Sequence, residues 1–278
     1  MEYPCSERKC YEMKKSLIWI FDIGLVITVI CAVGAVQQFK IEHKKANQIT
    51  TNFNETYNNK SIKGLDLDLK HSNVKIKEGK TFKVLSKGSN EKIKIHAKVK
   101  NGNLTVSDHK GQSNVDISFL DMRYNDMTIY VPQDLENLKV HSDDGSTTLN
   151  DINADKAQLN TDVMDLTIND SKFNQLVASG DTSDIKLNKT QFQHGGFKTD
   201  TGDILMKDTP ADKPMQIKTD TGNVELIYGK DKPKNSQIEY SSDTGNLNIE
   251  DKQFENKKVG NGHHVIMIKT DTGDALIK

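Results

Sequence analysis

"KTDTGDILM" runs from Lys198 to Met206, "KTDTGNVEL" from Lys218 to Leu226, "SSDTGNLNI" from Ser241 to Ile249 and "KTDTGDALI" from Lys269 to Ile277. One phrase at near-constant spacing is the mark of a repeat architecture. Taking Gly202, Gly222, Gly245 and Gly273 as anchors and stepping back by nineteen reaches Ser183, Met164 and Gly145. Two positions before each of these seven anchors stands an aspartate: Asp143, Asp162, Asp181, Asp200, Asp220, Asp243 and Asp271. One position after the anchor come Ser146, Asp165, Asp184, Asp203, Asn223, Asn246 and Asp274, all small polar turn-formers.

Apolar residues keep the same register. Upstream of the bend they pair at a spacing of two, as in Leu138/Val140, Ala157/Leu159, Met215/Ile217 and Ile266/Ile268. Downstream they do so again, as in Leu166/Ile168, Ile204/Met206, Val224/Leu226 and Ala275/Ile277. That spacing belongs to strands with one buried face. Each copy therefore reads strand, polar bend, strand, second bend. One such unit cannot bury its own apolar face, but stacked units build a continuous narrow core. The chain is expected to be all-β: a single-stranded β-solenoid of about 19–20 residues per coil. Its thin interior suits the low aromatic content of 6%.

Alternation continues upstream without the phrase, in "GLDLDLKHSNVKIK", "KIKIHAKVKNGNLTV", "SNVDISF" and "MTIYVP". These segments are expected to cap the solenoid or to form a short antiparallel section joined to it.

Within the phrase, the local reading is corner chemistry. The Asp side chain would accept a hydrogen bond from a backbone N–H two residues on, and Gly145, Gly202, Gly222, Gly245 and Gly273 would supply the positive φ of a tight bend. Met164 and Ser183 break that pattern and call for another bend. Stacking has a second consequence for the Asp file, because neighbouring carboxylates would lie about 4.8 Å apart. Their repulsion is about 0.9 kcal/mol per pair in water and about 3.5 kcal/mol at an effective dielectric of 20. A ladder of Ca²⁺ ions along the seven aspartates is thus the alternative to a purely structural corner. Structure is the preferred reading, with no metal and no cofactor required.

Two spacings exceed the period: 23 residues from Gly222 to Gly245 and 28 from Gly245 to Gly273. The extra residues fall in "GKDKPKNS" (Gly229 to Ser236) and "EDKQFENKKVGNG" (Glu250 to Gly262), each after the same strand of its coil. They are expected to project side by side from one flank, and their lysines would suit an anionic cell-wall polymer. The last coil ends at Ile277-Lys278. It is expected to leave an open solenoid edge for self-association or a docking partner.

The first forty residues are of another kind. "LIWIFDIGLVITVICAVGAV", Leu17 to Val36, carries one charge, Asp22. Its length matches a hydrocarbon core of roughly 30 Å. Arg8, Lys9, Lys14 and Lys15 precede it and Lys40, Lys44 and Lys45 follow, a modest bias toward a cytoplasmic N-terminus. An uncleaved single-pass anchor is preferred, and a signal peptide cleaved after the "VGA" that ends at Ala35 is the competing reading. Residues 1–15 are assigned as a cytoplasmic leader, 16–36 as the transmembrane anchor, 37–60 as a stalk and 61–278 as the extracellular β-solenoid. All three cysteines, Cys5, Cys10 and Cys31, precede the exported part.

Formal net charge is −1 and only two arginines occur, Arg8 and Arg123, which argues against nucleic-acid binding. A catalytic β-helix such as a polysaccharide lyase would need a cationic or general-base cluster, and Arg123 is the sole arginine after the anchor. No catalytic residue is assigned.

With "MTIYVP" ending at Pro132 and the recurrent "TDTGD" followed by alternating apolar residues, the chain from about Ser61 to Lys278 resembles the bacterial putative-adhesin family of β-strand-repeat domains, which includes LiaG-like envelope proteins of Gram-positive bacteria. The resemblance implies a surface-facing right-handed β-helix and supplies no catalytic residues. Together these readings imply a membrane-anchored binding, adhesion or scaffolding module at the cell envelope, contacting wall polymer or another envelope protein. An accessory or sensor protein of an envelope-stress system is the alternative.

Overall fold

The computed structural model describes residues 7–58, 61–109, 122–132 and 134–278. One unit contains a single α-helix, Glu7–Ala46, of 40 residues. Between Leu17 and Val36 its large apolar side chains are more than half exposed, as a lipid-facing surface would be. By length and composition the helix can cross a membrane. At 1.5 Å per residue it measures about 60 Å, roughly twice a hydrocarbon core, so it continues past the apolar run at both ends. No break marks the expected boundaries at residues 16 and 36.

The second unit is a two-sheet β-solenoid, with eleven strands in one sheet and ten in the other among the described residues. Seven coils carry the repeat, each giving one strand to each sheet. In chain order they are Leu135–Ser142 with Thr147–Asn150, Asn153–Thr161 with Leu166–Asn169, Lys172–Thr182 with Ile185–Asn188, Gln191–Thr201 with Ile204–Lys207, Met215–Thr221 with Val224–Ile227, Ser236–Thr244 with Leu247–Ile249, and His264–Thr272 with Ala275–Ile277. All pair in parallel, like residue over like: Val140 on Leu159, Leu159 on Ala178, Ala178 on Phe197, Phe197 on Ile217. The alternating apolar positions form one buried core between the sheets.

A vacancy in this pattern is filled from within. Gly195 stands where other coils carry Leu138, Leu176 or Met215. A Cβ at Gly195 would come within 2.7 Å of both the Phe192 and the Phe197 rings, which take up the missing volume at a centroid separation of 5.5 Å.

The coils do not stack in chain order. The seventh lies between the fifth and the sixth: Ile268 pairs with Ile217 on one side and with Tyr240 on the other. This corrects the expectation of an open edge at the C-terminus, because the edge belongs to the sixth coil. There Tyr240, Leu247 and Ile249 are only partly buried, whereas their counterparts Ile268, Ala275 and Ile277 are fully covered. It also explains the long spacings. To reach the sixth coil the chain climbs two inter-strand steps, about 9.6 Å instead of 4.8 Å, and then must return by one. "GKDKPKNS" makes the climb, and the segment containing the 3₁₀ turn Lys252–Lys257 makes the return.

At the other end the coil Gly64–Leu69 with Asn73–Glu78 packs on the first repeat coil. Beyond it lie Asn103–Ser107 and Asn125–Val131. Antiparallel strands then close the stack: His96–Lys100 on one sheet, Phe82–Gly88 and Thr50–Tyr57 on the other. The last of these corrects the stalk assignment for part of 37–60. Its alternation is masked by a bulge between Thr51 and Phe53, and Phe53 and Tyr57 pack against the core. The expected strand "SNVDISF" lies outside the described residues.

Candidate functional site

The repeated corner consists of three parallel files. The inward one contains Ser142, Thr161, Thr199, Thr219 and Thr270, all buried. Three of their hydroxyls donate to corner carbonyls at 2.9 Å or less, Ser142 Oγ to Gly145 O at 2.7 Å, Thr199 Oγ1 to Ser183 O at 2.9 Å and Thr270 Oγ1 to Gly273 O at 2.9 Å, while Thr161 Oγ1 donates to Ser183 Oγ at 3.2 Å. Carbonyl oxygens at these bends thereby gain a side-chain donor.

The second file is the position after the anchor, and it bonds between coils. Backbone N–H groups donate to the side-chain oxygen of the like residue in the next coil: Asp203 to Asp184 at 2.9 Å, Asn223 to Asp203 at 2.7 Å, Asp274 to Asn223 at 2.9 Å, Asn246 to Asp274 at 2.8 Å. The same ladder starts upstream, where Ser146 N–H donates to Asn73 Oδ1 at 3.0 Å.

The third file is the aspartate column. Strand registers align Asp143, Asp162, Asp181, Asp200, Asp220, Asp271 and Asp243, in that spatial order. Among the described residues none of the seven accepts from an N–H two residues on, so the assigned turn role is corrected: the neighbouring Thr/Ser and Asx files carry the corner. The column points outward, and three of its members are paired with a lysine of their own strand. Lys198 Nζ lies 2.7 Å from Asp200 Oδ1, Lys218 Nζ 2.7 Å from Asp220 Oδ1, and Lys269 Nζ 3.8 Å from Asp271 Oδ1. The Lys218 contact, helped by Lys198 and Lys269, holds the Asp220 carboxyl below its usual range.

The anchor glycines also act differently from the expectation. Gly202, Gly222 and Gly273 have positive φ, while Gly145 and Gly245 do not. Common to all five is close stacking: a Cβ would collide with a carbonyl oxygen of the adjacent coil, at Ser72, Ser183, Gly202, Gly222 or Gly273. Met164 and Ser183 have no left-handed φ. At Met164 the bend swings outward, leaving Val163 and Met164 exposed.

Sequence reasoning placed a second bend in each coil but missed the residues that make it. It turns through left-handed Asp151, Asp170, Lys189 and Asp208, with φ between 48° and 55°. A signal existed in the recurrent Asn150-Asp151, Asn169-Asp170 and Asn188-Lys189 pairs. Their asparagines form a ladder, Asn169 Nδ2 to Asn150 Oδ1 at 2.9 Å and Asn188 Nδ2 to Asn169 Oδ1 at 2.7 Å.

The two insertions meet on this second flank. Lys232 Nζ bonds Asp251 Oδ2 at 2.8 Å, and the Tyr228 and Phe254 rings pack at 5.9 Å. Beside them opens a cavity of ≈ 830 Å³ whose walls include Lys189, Asp208, Lys230, Lys232, Lys234 and Gln253. Burial would raise the Asp212 carboxyl at its edge, but N–H groups of Asn235 and Lys234 and the Ser236 hydroxyl lower it on balance. Lys189, Lys230 and Lys234 are exposed and have no carboxylate partner among the described residues. The groove therefore presents three ammonium groups without a carboxylate partner among the described residues, beside the carboxylates of Asp208, Asp212 and Asp231.

Against known proteins, the sequence model described as Toastrack DUF4097 matches residues 62–278. No curated protein matches. Among solved structures, one is a "putative adhesin" from Bacteroides fragilis NCTC 9343, 14% identical, covering 84% of this chain and 99% of that one with a TM-score of 0.52. Another is a "putative cell adhesion protein" from Clostridium sporogenes ATCC 15579, 12% identical, covering 83% and 99%, with a TM-score of 0.39. At such identity the first speaks for the fold alone.

Proposed function

This chain belongs to the Toastrack DUF4097 family, and from that premise we propose that it is an adhesion-type binding module held at the bacterial cell envelope by its N-terminal helix. The helix would act as an uncleaved anchor with a cytoplasmic N-terminus, leaving the solenoid outside. The fold shared with the solved structure described as a "putative adhesin" supports the module reading.

The observation that carries the proposal is the convergence of both insertions on one flank, where Lys189, Lys230 and Lys234 border a groove of ≈ 830 Å³. An anionic polymer of repeating phosphodiesters fits it better than a neutral glycan, since unpaired lysines act as point charges for phosphate.

The test uses the full chain in lipid nanodiscs and a poly(glycerol phosphate) polymer, with dextran as the neutral control. Binding to the poly(glycerol phosphate) and not to dextran is expected, and the triple variant Lys189→Glu, Lys230→Glu, Lys234→Glu should weaken it at least tenfold. Unchanged binding by the triple variant would remove the groove from the proposal, and preference for dextran would remove the ligand class.

A further inference from the structure

The aspartate column is not neutralised along its whole length. Two residues before each Asp, on the same strand face, the stack carries His141, Asn160, Ser179, Lys198, Lys218, Lys269 and Ser241. The lysines serve Asp200, Asp220 and Asp271. The first three coils have none at that position. Asp143, Asp162 and Asp181 are stacked there about 4.8 Å apart. The side chain in ion-pair contact with them among the described residues is His141, with Nε2 3.1 Å from Asp143 Oδ1. The same molecule thus shows what satisfies this column elsewhere, and lacks it here.

We propose that His141, Asp143 and Asp162 form a binding site for a divalent transition-metal ion of the Zn²⁺ class. One donor atom from each lies within 4.8 Å of the others. Zn–N and Zn–O bonds of about 2.0–2.2 Å place tetrahedral ligands roughly 3.3–3.5 Å apart, a closure that small side-chain rotations supply. His141 lies near the end of the strand Leu135–Ser142 and Asp143 follows directly after it, while the pairing of Ser142 with Thr161 and the bond from Asp162 N–H to Ser142 O at 2.9 Å set Asp162 beside them at the end of the next strand. The donor set selects the ion. An imidazole nitrogen with two carboxylates suits Zn²⁺ and its neighbours, whereas Ca²⁺ takes six to eight oxygens. Three protein ligands leave a coordination position for water or a ligand. This replaces the Ca²⁺ ladder along all seven aspartates, which was the alternative to a purely structural corner, with one mixed-donor site at one end.

The test is calorimetric titration of the untagged full chain in detergent micelles, with Cys5, Cys10 and Cys31 alkylated, against ZnCl₂ and separately CaCl₂. The expected result is one Zn²⁺ per chain lost on mutation of this site, with Ca²⁺ at least tenfold weaker. His141→Ala and the near-isosteric Asp162→Asn should each weaken Zn²⁺ at least tenfold; His141→Gln replaces the alanine variant if that fails to fold. Asp200→Asn, whose carboxylate Lys198 already holds, should leave affinity unchanged. Affinity within twofold of wild type in the His141 variant, equal loss in Asp200→Asn, or a preference for Ca²⁺ would each overturn the site.

Discussion

The backbone N–H of Asp274 is bonded to the side-chain oxygen of Asn223, 2.9 Å away and 51 residues earlier in the chain. The C-terminal coil is therefore a slat pushed into the stack and not its last rung. Truncation after Gly262 should accordingly do more than trim an end. It strips the sixth coil, Ser236–Ile249, of its parallel neighbour in both sheets. Hydrogen exchange is expected to show Gln237–Ser242 losing protection in the truncated chain. A fully protected sixth coil would mean that it docks directly on the fifth.

Gly222→Ala should destabilise the solenoid. The residue has φ +153° and its Cβ would be driven into the Gly202 carbonyl. Strain of this kind costs roughly 1–3 kcal/mol, read as a lower urea midpoint. Met164→Ala, at an exposed bend with no positive φ, should stay within about 0.5 kcal/mol of wild type.

How far the fold was legible in the sequence follows from what each signal measures. Spacing of two reports which residues share a buried face, and Leu159, Ile217 and Ile268 are buried as that spacing requires. The order of coils is a long-range choice, and equal periods do not encode it. A clue was present nonetheless. The "KTDTG" coils at Lys198, Lys218 and Lys269 are adjacent in space, and the "SSDTG" coil is outermost. Inserting the last coil makes the lysine file continuous, so Asp220 lies in the field of both Lys198 and Lys269. The role of the aspartates was misread because turn rules consider bonds two residues along the chain, whereas the ladder bonds run to the next coil. The His141–Asp143–Asp162 cluster became visible only when strand register put residues nineteen apart side by side.

The two acidic files should therefore respond differently. Asp203→Ala leaves the Asn223 N–H without its acceptor, a loss of about 1 kcal/mol. Asp200→Ala removes a half-exposed pair with Lys198, for which about 0–1 kcal/mol is expected. Asp203→Asn keeps an oxygen for the ladder and should fall between wild type and Asp203→Ala. Urea unfolding of the three variants separates the cases, and a larger loss for Asp200→Ala than for Asp203→Ala would reverse the assignment of the corner to the second file.

Acid should act on the flank through Asp212. Its carboxylate takes N–H bonds from Asn235 at 2.8 Å and Lys234 at 3.0 Å and a hydroxyl bond from Ser236 at 2.9 Å, tying down the connection that skips a coil. Burial opposes the charge, yet these donors prevail and the folded-state pKa is lowered. A lowered value means that folding favours the deprotonated form, so the contribution is fully present above the unfolded value of about 3.9 and is lost as pH falls through the lower folded value. Asp212→Asn sets an NH₂ group among those donors and cannot regain the bonds by ionising. The variant is expected to melt below wild type at neutral pH, with the difference shrinking as the pH falls below about 4. Exchange at Lys230, Lys232 and Lys234 should quicken in parallel, because the connection has lost its tether. Melting curves of variant and wild type that stay superimposed down to acid pH would show that the carboxylate contributes nothing, leaving the Lys232–Asp251 pair and the Tyr228–Phe254 packing to hold the flank.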